Sequence, residues 1–195
     1  MYRKMSIENF NEKLNQKTHI PGGGAVAAIV GSLAASLSGM VAQYTLENEK
    51  YEQHESKVEK ALEKLIHISD VLMDCADEDS RAFDKVSKAY KGIGDKDLAL
   101  REAALVSAKI SKLGYEIMEI SYMLYKYGNK NLKSDAQISC YLGYSVYNSG
   151  LILVKVNAKS IKDKEIKEKI VGDIDKIIIT ADKLLKDIRK EIDID

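Results

Sequence analysis

A single proline, Pro21, stands in a chain of 195 residues, and that scarcity constrains the fold more than any other feature. Proline costs about 3 kcal/mol inside a helix, so a chain that avoids it leaves long helices intact. Ala, Leu, Ile, Lys and Glu are abundant and tryptophan is absent. An all-β fold rich in tight turns is excluded. The pattern predicts an all-α, single-domain multihelical bundle of about six helices spanning residues 1–195. The 30 Lys and Arg residues balance 30 Asp and Glu, which argues against nucleic acid or an anionic membrane as a partner.

Cys75 and Cys140 sit in apolar, helical surroundings and read as small core residues of a protein kept in a reducing compartment. No secretory signal is visible, so a cytoplasmic location is expected. His19, His54 and His67 lack the spacing of a zinc site, and no metal is expected.

The first predicted helix runs from Met5 to Gln16, with Ser6 as N-cap. Thr18 to Gly24 reads as a loop, because Pro21 and the run Gly22-Gly23-Gly24 oppose helix continuation. The next element, Ala25 to Leu46, contains no charged residue. Its Ala27, Gly31, Ala35 and Gly39 recur every four residues and form a ridge that another helix backbone can approach closely. Ser32, Ser36, Ser38 and Gln43 interrupt the run, which favours a helix buried in a bundle over a membrane span. Periodicity then predicts helices over Tyr51–Lys91 and Leu98–Tyr127, the second with a bend at Gly114. A loop at Gly128–Asn131 precedes a helix over Asp135–Asn157, with Ser134 and Gln137 at capping-box spacing. A charged last helix starts at Ser160 or Asp163 and ends near Glu191.

Asp79 is the anomaly. At about 100° per residue it falls within the apolar stripe of its helix, close to Leu65, Leu72, Ala76, Phe83 and Val86. Asp70, Asp74 and Asp77 lie on the far side. A buried carboxylate without partners costs several kcal/mol. The position therefore reads either as a structural acid bonded to a helix end or as an acid/base held near neutral pKa by burial. Gly22-Gly23-Gly24 before a helix N-terminus has two readings as well, an anion cradle or a tight turn that permits close packing. Arg101 lies off its apolar stripe as a solvated charge. Lys155 and Asn157 stand where side chains ordinarily cap a helix end.

Five segments in register carry a family likeness: Pro21-Gly22-Gly23-Gly24 before a small-residue helix, Asp77-Glu78-Asp79-Ser80-Arg81-Ala82-Phe83, Arg101-Glu102-Ala103-Ala104-Leu105, Gly128-Asn129 with Ser134-Asp135, and Val154-Lys155-Val156-Asn157. Over about residues 5 to 170 the chain resembles the cyclodeaminase/cyclohydrolase family of folate one-carbon metabolism. The resemblance implies an all-α homodimer with a folate substrate in a cleft near the subunit interface and no separate cofactor. It places the catalytic carboxylate among Asp77 and Asp79. It implies substrate contacts from Pro21, Gly22, Gly23, Gly24, Arg101, Asn129, Ser134, Asp135 and Asn157. Two reactions follow from it: closure of a formimidoyl group with loss of ammonia to give 5,10-methenyltetrahydrofolate, or hydrolysis of that methenyl bridge. Ala25 stands where the family carries serine, and a folate-binding or dimeric module without activity is the alternative.

Overall fold

The predicted loops fall where the chain reverses, and between them the computed structural model, which describes residues 1–191, is built from helices. In chain order these are α1 (Ile7–Leu14), α2 (Gly23–Leu46), α3 (Glu55–Tyr90), α4 (Lys96–Tyr127), α5 (Lys133–Lys159) and α6 (Lys164–Glu191). No strand occurs among the described residues. The last four residues of the expected 1–195 domain lie outside them.

Local chemistry sets most boundaries. The Ser6 hydroxyl accepts from the Asn9 N–H at 3.1 Å and starts α1. Asp95 accepts from the N–H groups of Asp97 and Leu98 and starts α4. Asp163 accepts from Ile166 N–H and starts α6. The starts of α2, α3 and α5 differ from expectation. α2 begins at Gly23, inside the glycine run, because first-turn N–H groups need no partner within the helix. A 3₁₀ segment, Glu49–His54, precedes α3 in place of its expected first turn. α5 begins at Lys133 with Leu132 as N-cap and no side-chain cap bond, so Ser134 lies within the first turn and caps nothing.

The small ridge of α2 is buried as expected, with Ala27, Gly31, Ala35 and Gly39 all inside. α3 lies against it antiparallel: a side chain at Gly31 would meet Leu72 of α3, and Ser32 and Ser36 bond Ser69. α4 runs parallel to α2, tied by the buried Ser38–Ser121 hydroxyl pair at 2.6 Å and by the Thr45 hydroxyl, which accepts from Asn129 N–H at 2.9 Å. α5 returns antiparallel to α4 at backbone contact. A Cβ on Gly114 would stand 2.4 Å from Tyr147 N, and one on Gly150 would stand 2.5 Å from Ser111 N. Gly114 therefore marks a close helix crossing. Two apolar clusters result, one gathering α2, α3 and α4, the other joining α4, α5 and α6. Phe83 and Tyr90, expected in the buried stripe of α3, are 45% and 58% exposed.

By length and composition α2 could cross a membrane, but 61% of its most apolar window is buried inside the bundle.

Candidate active site

Asp79 points from α3 into the first turn of α2. Its carboxyl accepts the Ala25 N–H, an N-terminal donor left without an intrahelical partner. A Cβ on Gly24 would stand 1.9 Å from Asp79 Oδ1 and 2.3 Å from its Cγ, so the carboxyl sits there only because residue 24 is glycine. Gly22, the N-cap of α2, offers no side chain to that turn. Asp79 thus supplies from another helix a cap that α2 lacks. Burial nevertheless wins electrostatically: desolvation lifts the Asp79 carboxyl above its usual range, and the Ala25 bond only partly opposes it. The cap for α2 and the raised pKa of this residue come from the same geometry.

Tyr2 roofs this end. Its ring is 3% exposed, its hydroxyl pairs with Ser80 Oγ at 2.8 Å, and burial raises its pKa. Asp77 faces elsewhere. It binds the terminal ammonium of Met1 and accepts Tyr2 N–H at 2.9 Å. Burial raises the Asp77 carboxyl, but these donors outweigh it, and the pKa ends below the ordinary value. Of the two carboxylates, only Asp79 meets the glycine turn.

The other nominated residues divide between the two ends of the bundle. Pro21 is buried in a loop with a cis Ile20–Pro21 peptide, next to Gly22, Gly23 and Gly24. Asn157 joins this end, its amide donating to Ser107 Oγ at 3.5 Å. So does Lys109, whose ammonium lies 3.4 Å from Glu78, the residue before Asp79. Arg101 is exposed two turns further along α4. With Leu105, Lys109, Lys112, Ile166 and Ile170 it lines a cavity of about 340 Å³ between α4 and α6, the lower end of the range for small-molecule sites.

Asn129, Ser134 and Asp135 lie at the opposite end. The Asn129 side chain donates to the Tyr44 carbonyl and accepts from Asn131 N–H. Its backbone N–H is the one held by Thr45. A polar cavity of about 450 Å³ opens there, lined by Tyr51, His54, Lys126, Tyr127 and Gly128–Asn131. From Ala25 to Thr45 is 20 helical residues, about 30 Å along α2. One chain does not bring Asp79 and Asn129 together.

Sequence reasoning did not single out Lys109, Tyr2 or Ser80, because their contacts cross between helices and leave no local pattern. Among the described residues no three His, Cys, Asp or Glu side chains gather to hold a metal ion.

The family model of formiminotransferase-cyclodeaminase matches residues 6–176. A methenyltetrahydrofolate cyclohydrolase from Methylorubrum extorquens is 28% identical over 187 residues, covering 90% of each chain. A formimidoyltransferase-cyclodeaminase from Mus musculus is 26% identical over 175 residues, covering 84% of this chain and 32% of that one. The chain thus spans about a third of such longer relatives. The crystal structure of formiminotetrahydrofolate cyclodeaminase from Thermotoga maritima superimposes with a TM-score of 0.92 at 29% identity, over 97% of this chain and 96% of that one.

Proposed function

Because the chain belongs to the formiminotransferase-cyclodeaminase family, we propose that it is a folate one-carbon enzyme in which the Asp79 carboxyl moves protons at the carbon carried on N5 of tetrahydrofolate. The observation that carries this reading is a carboxyl seated on a helix N-terminus, bonded once by Ala25 N–H and pushed toward neutrality by burial. A carboxyl whose charged form is penalised by burial takes up a proton more readily than a solvated one, and it can return that proton to a basic nitrogen.

The same carboxyl serves either reaction of the family. In the cyclodeaminase direction, N10 attacks the protonated formimidoyl carbon and forms a tetrahedral aminal. Asp79 takes the N10 proton and delivers it to the amino nitrogen, the C–N bond breaks, and ammonia leaves the methenyl cation. In the cyclohydrolase direction, water adds to the methenyl carbon and loses a proton to Asp79. The bond to N5 then breaks, with one proton passing to N5 and one to solvent, and 10-formyltetrahydrofolate results. General acid–base catalysis of this kind contributes about 10²–10⁴-fold. The positive N-terminal end of α2 and the cations Lys109 and Arg101 suit the glutamyl carboxylates of a folate.

Purified protein is offered 5-formimidoyltetrahydrofolate and 5,10-methenyltetrahydrofolate in parallel, and the near-ultraviolet band of the methenyl group is followed. A rise from the first substrate marks a cyclodeaminase; an accelerated fall from the second marks a cyclohydrolase. No change with either assigns the chain to the binding-module alternative, which the replacement of the family's serine by Ala25 favours. A folded Asp79→Asn protein that turns over at the wild-type rate rejects the role given to this residue.

A further inference from the structure

The second residue of the chain is a core residue. Tyr2 is 3% exposed and belongs to the apolar cluster that holds Ala25, Ala28, Leu72 and Ala76. That burial does not come from a packed first helix, since α1 has no buried residue. It comes from a strap laid across α3. Arg3 donates to the Asp70 carboxylate at 2.8 Å, to the Asp70 carbonyl at 2.9 Å and to Asp74 at 3.1 Å. Tyr2 N–H donates to Asp77, and the Tyr2 hydroxyl pairs with Ser80. These rungs fall at 70, 74, 77 and 80, a spacing of four, three and three that follows one side of a helix. Three acids expected to face water therefore bind residues 2 and 3. Behind them Met5 N–H closes a 3₁₀ turn on the Tyr2 carbonyl, and Phe10 meets the Tyr2 ring edge-on at 5.3 Å.

The last rung stands beside the proposed acid. Ser80 follows Asp79 in the chain and lies about 100° around α3 from it, on the flank between Asp77 and Asp79. Tyr2 senses both carboxyls, each of which raises its pKa. From α2 the Asp79 carboxyl meets no charge, because Gly23–Leu46 carries none. On α3, Asp77 is engaged by the strap, Glu78 by Lys109 of α4, and Arg81 acts on Asp77. The strap itself brings only the neutral Tyr2 to this flank. Access of water therefore governs Asp79, with burial set against a single N–H bond.

We infer that residues 2 and 3 form a clamp in which Tyr2 is a positioning residue, walling the flank of the Asp79 turn and holding that turn against the N-terminus of α2. The effect on catalysis rests on the role given to Asp79 above; the clamp itself does not. Without the Tyr2 ring, water reaches the carboxyl and stabilises its charged form, so its pKa falls toward the ordinary value. A loosened turn also lets the carboxyl drift from the substrate carbon, and misplacement by about 1 Å can cost about 10²-fold in rate. The Tyr2 N–H rung does not depend on charge, because an asparagine at 77 still offers it an oxygen.

Carbodiimide coupling to a small amine reads the clamp without reference to activity, each labelled carboxyl being located by tandem mass spectrometry. Asp79 labels slowly in the wild type and several-fold faster in Tyr2→Ala, while the exposed Glu59, remote on α3, keeps its rate. Tyr2→Phe/Arg3→Glu repeats the test should the first variant disturb folding. It keeps an apolar ring and replaces the exposed cation with a charge that Asp70 and Asp74 repel. Lys4→Ala, exposed in the same segment, leaves the labelling of Asp79 unchanged.

The second readout is kinetic. In Tyr2→Ala the limb of the pH profile set by Asp79 moves to lower pH, and kcat falls about 10-fold or more with a smaller change in KM. A merely structural residue would reduce the amount of active protein and leave the profile in place. A folded Tyr2→Ala protein whose Asp79 labels at the wild-type rate overturns the clamp. Faster labelling with an unmoved pH profile overturns the positioning role. Wild-type protein inert toward both folates, with labelling still faster in Tyr2→Ala, overturns the proposed chemistry and leaves the clamp standing.

Discussion

The Asp79 carboxyl occupies the space that any side chain at Gly24 would need, with Oδ1 only 1.9 Å from the position of a Cβ there. The glycine that opens α2 and the acid on α3 therefore act as one unit, although 55 residues separate them. Gly24→Ala forces the carboxyl to swing away from Ala25 N–H. Alanine is the better helix former by up to about 1 kcal/mol, so the fold survives while catalysis does not. Circular dichroism unchanged from wild type, with turnover as low as that of Asp79→Asn, is the expected result.

Asp79→Asn separates stability from activity through its pH dependence. Burial holds the folded pKa above the ordinary value of 3.8, so the native state holds a proton that the unfolded chain has already released. Stability from this group is complete below pH 3.8 and declines as pH rises through the folded pKa. Asparagine has no such transition. The melting temperature of Asp79→Asn relative to wild type therefore rises between pH 4 and pH 7, while turnover falls about 10²-fold or more. A variant that loses stability relative to wild type over that range would mean that the ionised carboxylate stabilises the fold.

Asp77 carries the opposite sign. Its depressed folded pKa makes its contribution present above the ordinary value of 3.8 and lost as pH falls through the folded value. Asp77→Asn gives up the pairing with the Met1 ammonium, a partly exposed contact of about 1 kcal/mol. Thermal melts at pH 7 show that deficit, and melts near pH 2 do not. Turnover is retained, because Asp77 does not reach the glycine turn. Equal loss of turnover in Asp77→Asn and Asp79→Asn would remove the distinction.

Helix periodicity exposes what a single helix decides. The inward turn of Asp79 follows from its angle to Leu72 and Ala76, and the caps at Ser6 and Asp95 follow from residues within three positions of them. The start of α2 was harder to read, because glycine disfavours a helix interior yet is tolerated in a first turn whose donors are free. Phe83 and Tyr90 share the angle of the buried stripe, but they lie on the last turns of α3 and remain exposed. Relations between helices left no local trace. Asn129 and Asp79 belong to motifs of one family, yet the sequence could not place them at opposite ends of α2. That separation depends on α4 running parallel to α2, which only the Ser38–Ser121 and Thr45–Asn129 contacts reveal.

The crossing of α4 and α5 provides a test of the fold itself. A Cβ on Gly114 would lie 2.4 Å from Tyr147 N and 2.9 Å from the Gly143 carbonyl oxygen, and both are backbone atoms that no rotamer change can move. Gly114→Ala must push the two helices apart along a contact that includes the buried Ser111–Tyr147 bond at 3.0 Å. The gain in helix propensity, about 1 kcal/mol, is smaller than the cost of overpacking, about 1–3 kcal/mol. Gly23→Ala is the control, because no atom approaches its Cβ position within 4 Å. Urea denaturation resolves the pair: Gly114→Ala unfolds at lower denaturant, and Gly23→Ala stays at or slightly above wild type. If Gly114→Ala is as stable as wild type, α4 and α5 do not approach each other at backbone distance.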